Sequence, residues 1–84
     1  MSNADKDKIA EERKKMRRLR VIVDLTAAVL YQGNLTTAEA TELVEATRKS
    51  VLRLFPDKAE TFDLIYKPRF ERIIQETRQA KNGN

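Results

Sequence analysis

The chain contains no cysteine and no histidine. The first absence excludes disulfides and thiolate metal sites. The second removes the commonest general base and the commonest metal ligand, so no nucleophilic triad of the usual kinds can be assembled. Glycine occurs twice, at Gly33 and Gly83, which leaves no glycine-rich loop to cradle a phosphate. No apolar run is long enough to cross a bilayer. The N-terminus is polar and charged, so no signal segment is visible and the expected location is cytoplasmic. No carboxylate cluster has a recognisable metal spacing, and no cofactor or small molecule is implied. The expectation is a protein that is not an enzyme.

At 84 residues the chain can hold one domain, with a modest core and only marginal stability when alone. Residues 1–4 are expected to be a disordered terminus, or a tag scar at Ser2-Asn3-Ala4, and residues 5–82 to form the single domain.

The most apolar stretch is Val21 to Tyr31, with Asp24 inside it. At 3.6 residues per turn, Ile9, Met16, Leu19, Val23, Ala27 and Leu30 share one stripe. Beyond residue 20, Val21, Ile22, Leu25 and Val29 widen the apolar surface around most of the circumference. One long helix over about residues 5–32 is predicted, with a solvated basic first half and a second half covered on most sides. Residues 19–31 are expected to form the core and a dimer seam. Asp24 is expected at the surface near Arg20, the alternative being a buried acid paired with a base from another helix.

Gly33 is a natural left-handed stop for this helix. Thr36 and Glu39 then form a capping box, with Leu35 stapled onto Ala40. A second helix from Thr37 to Phe55 presents Ala40, Leu43, Val44, Thr47, Val51, Leu54 and Phe55 on one face. Pro56 ends it, and Asp57 is the expected N-cap of a third helix, with Glu60 three residues on. Phe62, Tyr66, Phe70, Ile73 and Thr77 keep helical spacing through Pro68. The third helix is therefore either kinked or broken there, and the kink is preferred because no cap residue precedes the proline. No strand-like alternation is present. The fold class is all-α, an antiparallel three-helix bundle whose long first helix projects beyond its partners.

The net charge of +4 is confined to one place. Residues 1–20 hold eight Lys or Arg and four Asp or Glu, whereas residues 21–84 hold nine of each. The excess is densest from Arg13 to Arg20, so Arg13, Lys14, Arg17 and Arg18 are candidate contacts for a partner drawn by charge. The plain reading is a solvated helical face. The alternatives are phosphate contact with nucleic acid, salt-dependent and without sequence preference, and an anionic membrane surface. The membrane fits least well, because only Ile9, Met16 and Leu19 are large and apolar on this arm.

Residues Leu35 to Leu54, running LTTAEATELV and then EATRKSVLRL, resemble a helix-turn-helix DNA-binding motif. The resemblance implies Thr47 as N-cap of a recognition helix in the major groove, with Arg48, Lys49, Ser50 and Arg53 facing DNA and Val51 packed inward. The family's turn glycine corresponds here to Glu45 and the next apolar residue to Ala46, both good helix formers. An unbroken second helix with Arg48, Lys49 and Arg53 solvated reads from the same letters. The two readings separate at residues 45–47.

Three of the five aromatics gather around Pro68. They read as a core patch at the kink, or as a groove for a peptide or small ligand with Tyr66, Arg69 and Phe70 in it. Taken together, the expected role is association with a protein partner or with a second copy. The competing role is a nucleic-acid-binding regulator using the basic residues of helices 1 and 2.

Overall fold

The computed structural model describes residues 3–82, and side chains from residue 6 to residue 79. Helix α1 spans Asn3–Gln32 and α2 spans Thr37–Leu54. A third helix, α3, is built from Ala59–Thr61, a π turn at Phe62–Tyr66 and Lys67–Asn82, joined without a break over residues 59–82. No strand occurs among the described residues. The architecture is an all-α antiparallel three-helix bundle measuring 60 × 19 × 17 Å. Asn3 and Ala4, expected to be disordered, belong to α1. The same expectation for Met1 and Ser2 lies outside the described residues.

The first turn forms as its residues require. Gly33 adopts φ 69°, the left-handed conformation that a Cβ disfavours, and its N–H donates to the Leu30 carbonyl at 3.1 Å. The Glu39 N–H donates to Thr36 Oγ1 at 3.1 Å, and the Thr36 N–H donates to Glu39 Oε1 at 2.9 Å. Two orphan donors at the start of α2 are thereby satisfied reciprocally. The second turn differs from expectation. Lys58, not Asp57, stands at the N-cap of α3, and no side chain caps it. The Lys58 N–H bonds back to the Phe55 carbonyl at 3.0 Å, and its own carbonyl accepts from Phe62. The tight turn forced by Pro56 spends the capping position on closing itself.

Pro68 does not break α3. Its ring nitrogen carries no hydrogen, so the Leu64 carbonyl cannot receive the usual bond from four residues on. The preceding turn widens instead, and the Lys67 N–H bonds to the Phe62 carbonyl five residues back. The widening also sets the phase of the aromatics. Eight residues of regular α-helix would leave Phe62 and Phe70 about 80° apart around the axis. One extra residue in a single turn removes most of that angle. Phe62 and Phe70 are accordingly both buried, with ring centroids 6.1 Å apart, and Tyr66 lies 5.9 Å from Phe62.

The core joins Leu19, Val23, Ala27 and Leu30 of α1 to Ala40, Val44 and Val51 of α2 and to Phe62, Phe70 and Ile73 of α3. Among the described residues Thr26 and Thr47 are the buried polar ones, and their hydroxyls lie 2.9 Å apart. The expectation that residues 21–29 are covered on most sides does not hold in a single chain. Val21 is half exposed, Leu25 is 62 % exposed and Val29 is exposed at 38 %. The reason is geometric. α2 and α3 both pack on the stripe carrying Leu19, Val23 and Leu30, and residues 21, 25 and 29 fall on the opposite side of the same helix.

Candidate interaction surface

Helix α1 has 30 residues and α2 has 18, so α1 is about 45 Å long against about 27 Å. The stripe that makes the core continues N-terminally through Met16 and Ile9, past the point where the bundle ends. Leu19 is the first buried residue of the described chain. Met16 is 57 % exposed and Ile9 is about half exposed.

α3 runs in the same direction as α1. Tyr66 and Arg69, near its start, face the middle of α1, while Ile74, Thr77 and Arg78 lie beside Leu30 and Gly33. An open groove of about 670 Å³ results between the projecting arm and the start of α3. Its apolar floor is Ile9, Met16, Leu19 and Val23, with Tyr66 closing one side. Arg13, Arg17, Arg20 and Arg69 supply positive charge to its walls, against Glu12 and Asp24. Asp24 is exposed, as expected of a surface acid.

The residues singled out in the sequence are therefore distributed unevenly. Arg13, Arg17, Tyr66 and Arg69 share the groove, which unites the basic arm with the aromatic patch at Pro68. Lys14 and Arg18 are exposed but fall on the other side of α1. Phe70 takes no part in the groove. It is 0 % exposed, because the π turn directs it into the core. Arg20 was not among the expected contacts, and Ile9 and Met16, expected on the core stripe, are exposed. Their signal was the core stripe running on beyond the length that α2 can cover.

Helix α2 is continuous through Glu45, Ala46 and Thr47. The turn implied by the helix-turn-helix resemblance is not formed there. Thr47 is no N-cap: it is buried, and its hydroxyl donates to the Leu43 carbonyl at 2.8 Å. Arg48 is held within the molecule by a two-pronged pair with Asp63, Nε to Oδ1 at 2.8 Å and Nη2 to Oδ2 at 3.1 Å. Hydrogen bonding from Arg48 holds the Asp63 carboxyl below its usual range, and the same bond raises the Arg48 guanidinium. Lys49 and Arg53 are exposed on α2 and do not line the groove.

Among the described residues no group of three or more metal-ligating side chains could hold an ion, and no helix is long and apolar enough to cross a membrane. Comparison with family models, with curated proteins and with solved structures finds no match for the chain.

Proposed function

We propose that the protein is a non-enzymatic association module and that α1 is its contact surface. The observation that carries this reading is the order of the exposed apolar side chains on α1. Single exposed hydrophobic residues are ordinary on protein surfaces and need no explanation, whereas contiguous patches mark interaction sites. Ile9 and Met16 extend the core stripe along the groove, and Val21, Leu25 and Val29 form a row on the back of the helix. Both rows sit on one continuous helix, α1.

The test is the solution mass of the whole chain beside a Met16→Lys/Leu25→Lys variant. Both side chains are mostly solvated in the single chain, so the variant keeps its core. The expected result is a species heavier than the 9.7 kDa chain, or a complex with a partner, that the variant fails to form. A wild-type chain that stays at monomer mass, and that behaves like the variant in every mixture, overturns the reading.

A second reading is favoured by one observation, the confinement of all excess positive charge to the arm, where Arg13 to Arg18 are exposed. Nucleic acid would be held there through phosphates, with Lys49 and Arg53 as secondary contacts. Each neutralised phosphate steepens the fall of affinity with salt, by a slope of about 0.9 on logarithmic axes for duplex DNA. Binding to duplex DNA that does not weaken with salt would exclude it.

A further inference from the structure

We propose that the groove beside the arm takes an acidic amphipathic helix from a different protein, its apolar face on Ile9 and Met16 and its carboxylates on the arginines of the walls. This rests on the reading of α1 as an association surface and names the chemistry of its partner.

That the occupant is a helix follows from the seam. Ile9, Met16, Val23 and Leu30 stand seven residues apart, the spacing at which one helix keeps the same face toward another. Val23 and Leu30 are buried by the bundle, whereas Met16 and Ile9 are exposed. One seam is thus packed over its C-terminal half and bare over its N-terminal half. The groove follows α1 from Ile9 to Asp24 over about 22 Å, the length of a helix of about fifteen residues. Its lining comes from α1 and α3 alone, so a helix laid there rests on two others, as each helix of the bundle already does. An extended peptide would need a sheet edge to pair with, and the described residues form no strand.

The charge of the occupant follows from the walls. Arg13, Arg17, Arg20 and Asp24 lie within about 60° of one another around α1, and Arg69 adds a fourth guanidinium from α3. Four positive charges therefore stand against the carboxylates of Glu12 and Asp24. Among the described residues the one ion pair joins Arg48 to Asp63, so neither carboxylate engages any of the four. The bases that line the groove are all arginine, while Lys14 and Lys15 lie elsewhere on α1. A guanidinium can grip a carboxylate through two parallel hydrogen bonds, as Arg48 grips Asp63 in this molecule.

Other occupants match these walls less well. A second copy's arm, turned antiparallel about a two-fold axis, sets the flank of Arg13, Arg17 and Arg20 against the same flank. Set parallel, the two bundles collide, since both cover the inward stripe from Leu19 onward. A nucleic acid would leave the apolar floor without a partner, and Tyr66 is the one aromatic of the lining on which a base could stack.

The test uses two synthetic peptides of about fifteen residues. Both carry leucines at helical spacing on one face. One has glutamates on the flanks of that face, and the other has lysines in their place. Calorimetric titration of the full chain should show the glutamate peptide binding at least about tenfold more tightly than the lysine peptide, or by about 1.4 kcal/mol. Met16→Gln removes apolar floor without a change of charge and should weaken the glutamate peptide by about tenfold. Arg17→Glu/Arg69→Glu should reverse the preference, so that the lysine peptide binds the more tightly. Leu25→Lys, on the back of α1, should leave both titrations unchanged. All four positions are exposed, so the variants keep the core.

Equal affinity for the two peptides, or binding of neither, overturns the inference. So does salt-dependent binding of duplex DNA by a chain that rejects the glutamate peptide. A dimer of the chain alone that Arg17→Glu/Arg69→Glu disperses also overturns it, because a second copy would then hold the groove. The wider reading survives these failures where the wild-type chain forms any assembly that Met16→Lys/Leu25→Lys does not. A chain indistinguishable from that variant in every mixture overturns both.

Discussion

Thr26 and Thr47 face each other across the buried contact between α1 and α2, their hydroxyl oxygens 2.9 Å apart. Each hydroxyl also reaches the carbonyl four residues back in its own helix, Thr26 to Ile22 at 2.9 Å and Thr47 to Leu43 at 2.8 Å. Two protons thus serve three contacts, so one contact is always without a hydrogen. Thr47→Val keeps nearly the same shape and leaves Thr26 bonded to Ile22, with no orphaned donor. Its expected cost is under about 1 kcal/mol, and the double change Thr26→Val/Thr47→Val should be no worse than additive. Urea unfolding of the three variants measures this. A loss of several kcal/mol for Thr47→Val would mean that the hydroxyl pair, and not the apolar packing around it, aligns the two helices.

The capping box at the start of α2 gives a pH prediction. Hydrogen bonds from the Thr36 backbone and then its side chain hold the Glu39 carboxyl below its ordinary value, as Arg48 does for Asp63. In both cases the folded state favours the ionised form. Their contribution is present above the unfolded values near pH 4 and is lost as pH falls through the lower folded values. Melting temperature should therefore decline on acidification below about pH 4. Glu39→Gln should flatten part of that decline. Thr36→Ala should cost about 1 kcal/mol at neutral pH.

Local chemistry was legible in the sequence where a residue determines its own backbone. Gly33, Thr36 and Glu39 placed the first turn and the start of α2 correctly. The helical phase through Ala40, Val44, Thr47 and Val51 identified the buried face of α2. Coverage was less legible. An apolar pattern shows which side chains favour burial, not how many helices exist to bury them, and two partners cannot enclose α1 on every side. The basic arm and the Pro68 aromatics read as separate sites because their meeting depends on α3 running alongside α1, a tertiary fact. Phe70 lies in the core, as the core-patch reading of the Pro68 aromatics has it and the groove reading does not; the π turn that sets its phase has no signature beyond a proline two residues after it.

Burial separates two kinds of apolar residue that composition cannot distinguish. Phe70→Ala removes a wholly buried ring that packs on Phe62 and should cost roughly 3–5 kcal/mol. That is a large part of the roughly 5–15 kcal/mol that stabilises a typical domain. Leu25→Ala should change the stability of the single chain by no more than about 0.5 kcal/mol. Chemical denaturation at low protein concentration checks the pair. A large loss for Leu25→Ala that grows with concentration would reveal that the back of α1 is buried in an assembly.

Pro68→Ala tests why α3 carries a π turn. The substitution restores an N–H for the Leu64 carbonyl and removes the ring that disfavours a regular turn. A regular turn would in exchange rotate Phe62 away from Phe70 and out of the core. These effects oppose, so the π turn should persist and the net change should stay within about 1 kcal/mol. Scalar coupling across the hydrogen bond of the Lys67 N–H, whose partner is the Phe62 carbonyl in the widened turn and would be the Asp63 carbonyl in a regular one, reports whether the widened turn survives. If Pro68→Ala stabilises the chain by several kcal/mol and the turn becomes regular α-helix, the wide turn is strain imposed by the proline. If the turn remains, the aromatic packing of Phe62, Tyr66 and Phe70 holds it open, and the proline is accommodated by a geometry the core already requires.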